Sequence, residues 1–280
     1  MLDSIVEQSP AKINLFLKVI SKRVDGFHNI RSGVTLVNLC DEVIAKKNSN
    51  FKITYKGNFA PSNNVFKNCI IERLFEKIEI KKPKIHFIIN KNIPVQSGLG
   101  SASSNVAAVL RILERLDLYK SMNYNEYISI GSDVPLFVNQ SDCLIREKGN
   151  KIINQIFPKY FFLIVKPNIN CSTSEMYQQL NSKYFNYMVE YDLDNINEYD
   201  VGNDFEEIAI RNNKEIMNIL TFLRDLSGAV FSRMTGSGSC CFAVFENLES
   251  AIKAQKKFKS SYPKLWNFVA QNNNTILNKL

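Results

Sequence analysis

The sequence predicts an α+β protein of two units, on three observations. Hydrophobic residues alternate with period two in several short runs and recur at three and four in others. Strands and helices follow one another without strict βα alternation. A second series of strand and helix patterns begins near residue 157, so the expected division is 1–156 and 157–280.

In chain order, Ile13, Leu15, Leu17 and Val19 alternate with Lys12, Asn14 and Lys18, which is strand period. Phe16 interrupts the polar face and predicts that this face is partly covered. Asp25-Gly26 signals a turn into a second extended run, 33–39, and residues 51–57 read as a third strand. Val65, Phe66, Cys69, Ile70, Leu74 and Ile78 then recur at helical spacing, with Ser62 to Asn64 as capping candidates. Residues 85–90 are a short strand, a glycine-containing loop follows, and a helix runs from about Ser103 to Leu116. Residues 137–156 read as a hairpin around Gly149-Asn150. The second unit reads as strand 161–167, helix 174–184, helical stretch 204–226, strand 228–234, strand 240–245, helix 249–261 and strand 265–271.

Composition narrows the function classes. A hydrophobic share of 45% and a charged share of 22% fit a globular chain. No apolar run reaches the roughly 20 residues of a membrane helix, and the first residues lack a secretory pattern, so a cytoplasmic protein is expected. The six cysteines form no CxxC pair and His28 and His86 lie far apart, which argues for buried free thiols and against a metal site. The net charge of +8 suits either nucleic acid or polyanionic small molecules. Basic residues occur only in short groups such as Lys81-Lys82 and Lys256-Lys257, so no nucleic-acid partner is expected.

The strongest chemical segment is Pro94-Val95-Gln96-Ser97-Gly98-Leu99-Gly100-Ser101-Ala102-Ser103-Ser104, between a strand and a helix. Gly98 and Gly100 allow backbone angles that turn amides inward, and the small residues after them let an anion approach. A helix start offers free N–H groups and a favourable dipole, and Ser101, Ser103 and Ser104 add hydroxyl donors. No Gly-Lys-Ser/Thr follows, so this is not a Walker A loop, and the spacing is not GxGxxG. Read alone, the segment is either an anion site or a tight strand-to-helix turn with serine caps.

With Pro10-Ala11-Lys12-Ile13-Asn14-Leu15 before it and Met234-Thr235-Gly236-Ser237-Gly238-Ser239 after it, the segment resembles the ATP-binding motif set of the GHMP kinases. Three motifs in the right order span nearly the whole chain. Within that family, Asp25-Gly26-Phe27-His28 and Ile130-Gly131-Ser132-Asp133-Val134-Pro135 resemble the group acting on 4-diphosphocytidyl-2-C-methyl-D-erythritol. The resemblance implies an N-terminal α+β domain with a left-handed βαβ unit, a C-terminal ferredoxin-like domain and an active site in the cleft between them. It implies phosphorylation of the 2-hydroxyl of that small-molecule substrate, in non-mevalonate isoprenoid synthesis, with ATP and Mg²⁺ as cofactors, by a monomer or homodimer.

Residue by residue, the resemblance implies Lys12 and Asp133 as the catalytic pair and the loop 94–104 as the ATP site. It implies Asn14, Phe27, His28, Tyr177 and Gly236 as substrate-binding residues. A cation near the acceptor oxygen and a carboxylate for its proton suit phosphoryl transfer. Two aromatic rings and an imidazole suit the π-faces and polar edge of cytosine. Each residue also has a plain structural alternative. Lys12 could be an exposed strand lysine, Asp133 a turn cap before Pro135, His28 a turn histidine and Tyr177 a core aromatic. Gln96, Ser97, Ser101 and Ala102 stand where that group has glycines, and Ser101 or Ala102 costs about 1 kcal/mol if either needs positive φ. Two rival readings are another GHMP kinase, of the homoserine or mevalonate type, and a basic nucleic-acid-binding protein.

Overall fold

The computed structural model describes residues 4–62, 69–78, 80–180 and 202–272. Two compact units emerge. One comprises Met1–Ala11, Leu39–Val95 and Gly100–Gln140, and the other Lys12–Asn38, Gln96–Leu99 and Ser141–Leu280. Two long strands, β1 (Ser4–Lys22) and β2 (His28–Lys47), pair with each other, and the chain of each passes through both units.

In the first unit the C-terminal half of β2 pairs antiparallel with β4 (Ile85–Asn90), from Glu42 opposite Asn90 to Lys47 opposite Ile85. Strand β3 (Lys52–Lys56) pairs parallel with β4, and α1 (Ile70–Lys77) lies between them in the chain, which makes a βαβ unit. The capping candidates Asn63 and Asn64 lie outside the described residues. Helix α2 (Ser101–Arg115) is the centre of this unit's core. Its Val106, Ala108, Val109, Ile112 and Leu113 are fully buried and pack with Leu74, Phe87 and Ile89. Helices α3 (Tyr124–Ile130) and α4 (Val134–Asn139) complete the unit. Helix α4 takes residues 137–139 from the expected hairpin. Pro135 in its first turn has φ already set for a helix start, and a short apolar run carries no period to show this.

In the second unit the N-terminal half of β2 pairs antiparallel with β5 (Cys143–Glu147), which forms a hairpin with β6 (Lys151–Asn154). Its other sheet is antiparallel throughout, in the order β10-β7-β9-β8, from β7 (Phe161–Lys166), β8 (Ser232–Met234), β9 (Cys241–Phe245) and β10 (Trp266–Gln271). With α5 (Thr173–Gln178), α6 (Asp204–Asn212) and α7 (Lys214–Arg224) after β7, and α8 (Leu248–Ser261) after β9, the order is βαββαβ. That is the ferredoxin-like arrangement the resemblance implied. The helical stretch expected over 204–226 is two helices. Asn213 is extended and its side chain accepts the Glu215 N–H at 2.9 Å, so it ends one helix and caps the next.

Strand β1 is buried on both faces along its middle. Leu17 and Val19 join the second unit's core with Phe205, Ile216 and Phe245, while Lys12, Asn14 and Phe16 on the other face are buried as well. The exposed strand lysine is thereby excluded for Lys12.

Candidate active site

A polar cluster in the second unit forms around β1. Lys12 and Asn14 are each 4% exposed, and the Lys12 ammonium donates to Asn14 Oδ1. The Asn14 backbone N–H donates to Thr235 Oγ1 at 3.0 Å, and Asn14 Nδ2 donates to Ser32 Oγ at 2.8 Å. Residues at i and i+2 share a strand face, which is why Lys12 and Asn14 point the same way. Facing them is the turn after β8. A Cβ on Gly236 (φ +56°) would lie 3.0 Å from Lys12 Nζ and 3.3 Å from Asn14 Oδ1. Asn203 Nδ2 holds that turn by donating to the carbonyls of Met234 and Gly236 at 2.8 and 2.7 Å.

The segment Gln96–Leu99 packs on the same residues. Leu99 C=O accepts the Lys12 N–H at 3.0 Å, and Ser97 C=O accepts the Cys240 N–H at 3.0 Å. A Cβ on Gly98 would sit 2.2 Å from the Thr235 carbonyl oxygen, so only glycine lets the two turns meet. Three motifs separated by more than 200 residues of sequence thus converge in one buried, cationic cluster.

The aromatic residues are also in this unit. The ring of His28 stacks on Tyr177, with centroids 4.8 Å apart and planes 26° apart. Tyr177 meets Phe205 edge-on at 4.8 Å and packs on the core, so it has a structural role as well as an open claim on a ligand. Phe27 is 51% exposed, with Lys148 Nζ 5.7 Å from its ring centroid. Burial, and then the nearby Lys22, hold the His28 pKa below the usual imidazole value.

In the first unit, Pro94 is buried and Val95 half-buried at the exit from β4, and Gly100 (φ +74°) occupies the N-cap position of α2. No side chain caps that helix, so its first-turn N–H groups, which lack partners inside a helix, are left uncapped. Ser101 and Ala102 lie within the first turn, in ordinary helical backbone. The residue that departs from glycine at positive φ is Gln96, at 51°. Ala102 is exposed and Ser103 half-buried, and Ser103 Oγ lies 3.2 Å from where a Gly131 Cβ would stand. The helix start therefore adjoins the Gly131-Ser132-Asp133 segment. Asp133 occupies the N-cap position of α4, where its side chain makes no capping hydrogen bond to that helix.

Sequence reasoning missed the residues beneath this helix start. Ser104 is fully buried and accepts the Ser9 hydroxyl at 2.9 Å. Ser101 donates to Asp41 Oδ2 at 2.8 Å, and the Lys91 ammonium donates to Asp41, to Ser101 and, at 3.0 Å, to Asn105 Oδ1. Burial lowers the Lys91 pKa, against the opposing pull of Asp41. Two signals were readable: Asp41 is a charge inside an apolar strand run, and Lys91 lies three residues before Pro94. Burial pushes the Cys240 thiol up to about 12, so it is no nucleophile.

Comparison with known proteins bears on the family. The profile of the GHMP kinases N terminal domain matches residues 64–139, and that of the GHMP kinases C terminal region matches residues 189–264. A 4-diphosphocytidyl-2-C-methyl-D-erythritol kinase of Buchnera aphidicola is 34% identical, over 88% of each chain. One from Pelagibacter ubique is 32% identical, over 95% of this chain and 98% of its own. The crystal structure of a 4-(cytidine 5'-diphospho)-2C-methyl-D-erythritol kinase superposes with a TM-score of 0.76 at 22% identity, covering 96% of this chain and 100% of the other. An L. major mevalonate kinase in complex with R-mevalonate gives 0.66 at 14% identity, over 98% of both chains. GHMP kinases take their phosphoryl group from ATP, and with two domain profiles and near full-length relatives above 30% identity, this chain belongs to the GHMP kinases.

Proposed function

We propose that the protein transfers the γ-phosphoryl group of ATP to the 2-hydroxyl of 4-diphosphocytidyl-2-C-methyl-D-erythritol, a cytoplasmic step of non-mevalonate isoprenoid synthesis. The observation that carries the reading is the buried Lys12–Asn14 pair against Gly236 and Thr235, in a chain whose near full-length relatives bear that enzyme's name.

In this reading the acceptor hydroxyl gives its proton to Asp133 as its oxygen bonds to the γ-phosphorus. The bond to the β,γ-bridging oxygen breaks and ADP leaves. Lys12 neutralises charge gathering on the transferred group, and Asn14 and Gly236 hold the acceptor. The backbone of Pro94–Ser104 carries the nucleotide phosphates. Phe27 and Tyr177 take the two faces of cytosine, and His28 reads its edge. The boundary at 156/157 separates the two family domains in the same proposal. Among the described residues no group of three His, Cys, Asp or Glu could cage a metal ion. Mg²⁺ fits as an ion arriving on the triphosphate, where it would offset phosphate charge.

The test is ADP release over a panel of 4-diphosphocytidyl-2-C-methyl-D-erythritol, mevalonate and homoserine, with turnover expected on the first alone. Asp133→Asn should lower kcat by roughly 10²–10⁴ with nucleotide affinity little changed. Comparable turnover on mevalonate, or full activity of a folded Asp133→Asn protein, sinks the assignment.

A further inference from the structure

The segment from Pro94 to Gly100 belongs to no helix or strand, yet both of its stems are tied to one carboxylate. Where the segment leaves β4, Asp41 Oδ1 accepts the N–H groups of Asn92 and Ile93 at 2.7 and 2.8 Å. Where it enters α2, Asp41 Oδ2 accepts the Ser101 hydroxyl at 2.8 Å and the Asn105 amide at 3.0 Å. Lys91 donates to that same Oδ2, to Ser101 Oγ and to Asn105 Oδ1, so each of its three ammonium protons has an acceptor. The side chains of Lys91 and Asp41 are 3% and 0% exposed. Asp41 and Lys91 lie buried behind the segment and reach it only through these ties. The cluster sets the separation of two stems that would otherwise move independently. Ser101, which stands where the resembling group has glycine, is one of the ties.

We propose that Asp41, with Lys91 as its counter-cation, is the positioning residue of the nucleotide-phosphate loop. It fixes the entry into α2 relative to the exit from β4, so that the first-turn amides of α2 meet phosphate in one prepared geometry. The inference rests on the nucleotide reading above and adds residues that never contact the nucleotide. A loop fixed in advance loses less freedom on binding, so the effect falls on nucleotide affinity and leaves the acceptor aside.

The experiment is calorimetric titration of the full chain with a non-hydrolysable ATP analogue and, separately, with the acceptor. Lys91→Met alone strands a buried carboxylate, so the decisive protein is the double variant Asp41→Asn/Lys91→Met, which removes both charges at similar volume. Its analogue Kd is expected to rise at least about tenfold while the acceptor Kd stays within about threefold. Unchanged analogue affinity in the folded double variant overturns the positioning role and leaves the kinase reading standing. Parallel loss of both affinities marks general loosening and overturns it as well. If the double variant does not fold, Asn105→Ala decides by removing one donor and one acceptor and sparing the ion pair. A KM for ATP unchanged in Asn105→Ala then overturns the proposal, and a rise in that KM with kcat held supports it. A wild type that binds no analogue overturns the nucleotide reading itself.

Discussion

Asp41 in the first unit and Asp142 in the second are buried to nearly the same degree, 0% and 5% exposed, and are treated in opposite ways. Asp41 collects two backbone amides, a hydroxyl, a carboxamide and an ammonium. Asp142 has the Leu36 N–H at 2.9 Å and the Thr35 hydroxyl at 2.8 Å, both neutral. Burial pushes Asp142 up to about 6, and those two donors only moderate the rise. At like depth the two carboxylates differ in the number and charge of their donors, and for Asp142 two neutral donors do not offset burial. The more heavily donated one, Asp41, ties the exit from β4 to the start of α2.

The sharpest way to break this comparison is to take Asp41's cation away. Lys91→Met should destabilise the protein by about 3–5 kcal/mol, measured by denaturant unfolding, because an unpaired charge stays behind. A loss below about 1 kcal/mol would show that the amides suffice and the cation is superfluous.

Next in size is the pH dependence of Asp142. Its folded pKa of about 6 lies above the ordinary 3.8, so the folded state keeps a proton that the unfolded chain releases. This contribution is most favourable below about pH 4, is lost as pH rises towards 6 and is flat above, in all about 3 kcal/mol. Asp142→Asn should therefore gain stability relative to wild type between those limits, read as the difference between the two proteins' Tm profiles. Parallel profiles would refute the assignment. A smaller effect is expected from Thr35→Val, which removes one of Asp142's two donors. It should cost about 1 kcal/mol and move the Asp142 NMR titration midpoint further up. The smallest belongs to Glu249–Lys253, an exposed i,i+4 pair at 2.7 Å on α8. Lys253→Ala should leave Tm unmoved, which sets the floor of the scale.

The fold was legible where periodicity ran long, as in α2, α8 and the strands of the second sheet. It was illegible where local chemistry overrode the period. Asn213 broke one helical stretch into two through a cap, and Pro135 began a helix inside an apolar run. At the site, Lys12 and Asn14 were legible because they sit two apart on a strand, and Gly98 and Gly236 because glycine marks close backbone approach. The contacts of Asp41, Lys91, Ser32 and Asn203 were not, because their partners are distant in sequence and no local spacing encodes them; Asp41 showed only as a charge in an apolar strand run. Of the positions that depart from glycine, Gln96 carries the positive φ, while Ser101 and Ala102 already lie in helical backbone.

On the proposed reading, the stack of His28 on Tyr177 makes capture of a nucleobase an exchange of one ring for another. A base taking the Tyr177 face must first separate rings already in contact, so the gain is the difference between two stacking energies. Phe27→Ala removes a platform, whereas His28→Ala removes a competitor together with an edge contact, and its two effects on affinity oppose each other. The face then ranks guests by aromatic area against an imidazole standard. A ring system broader than imidazole displaces it readily, and a narrower one leaves the stack closed.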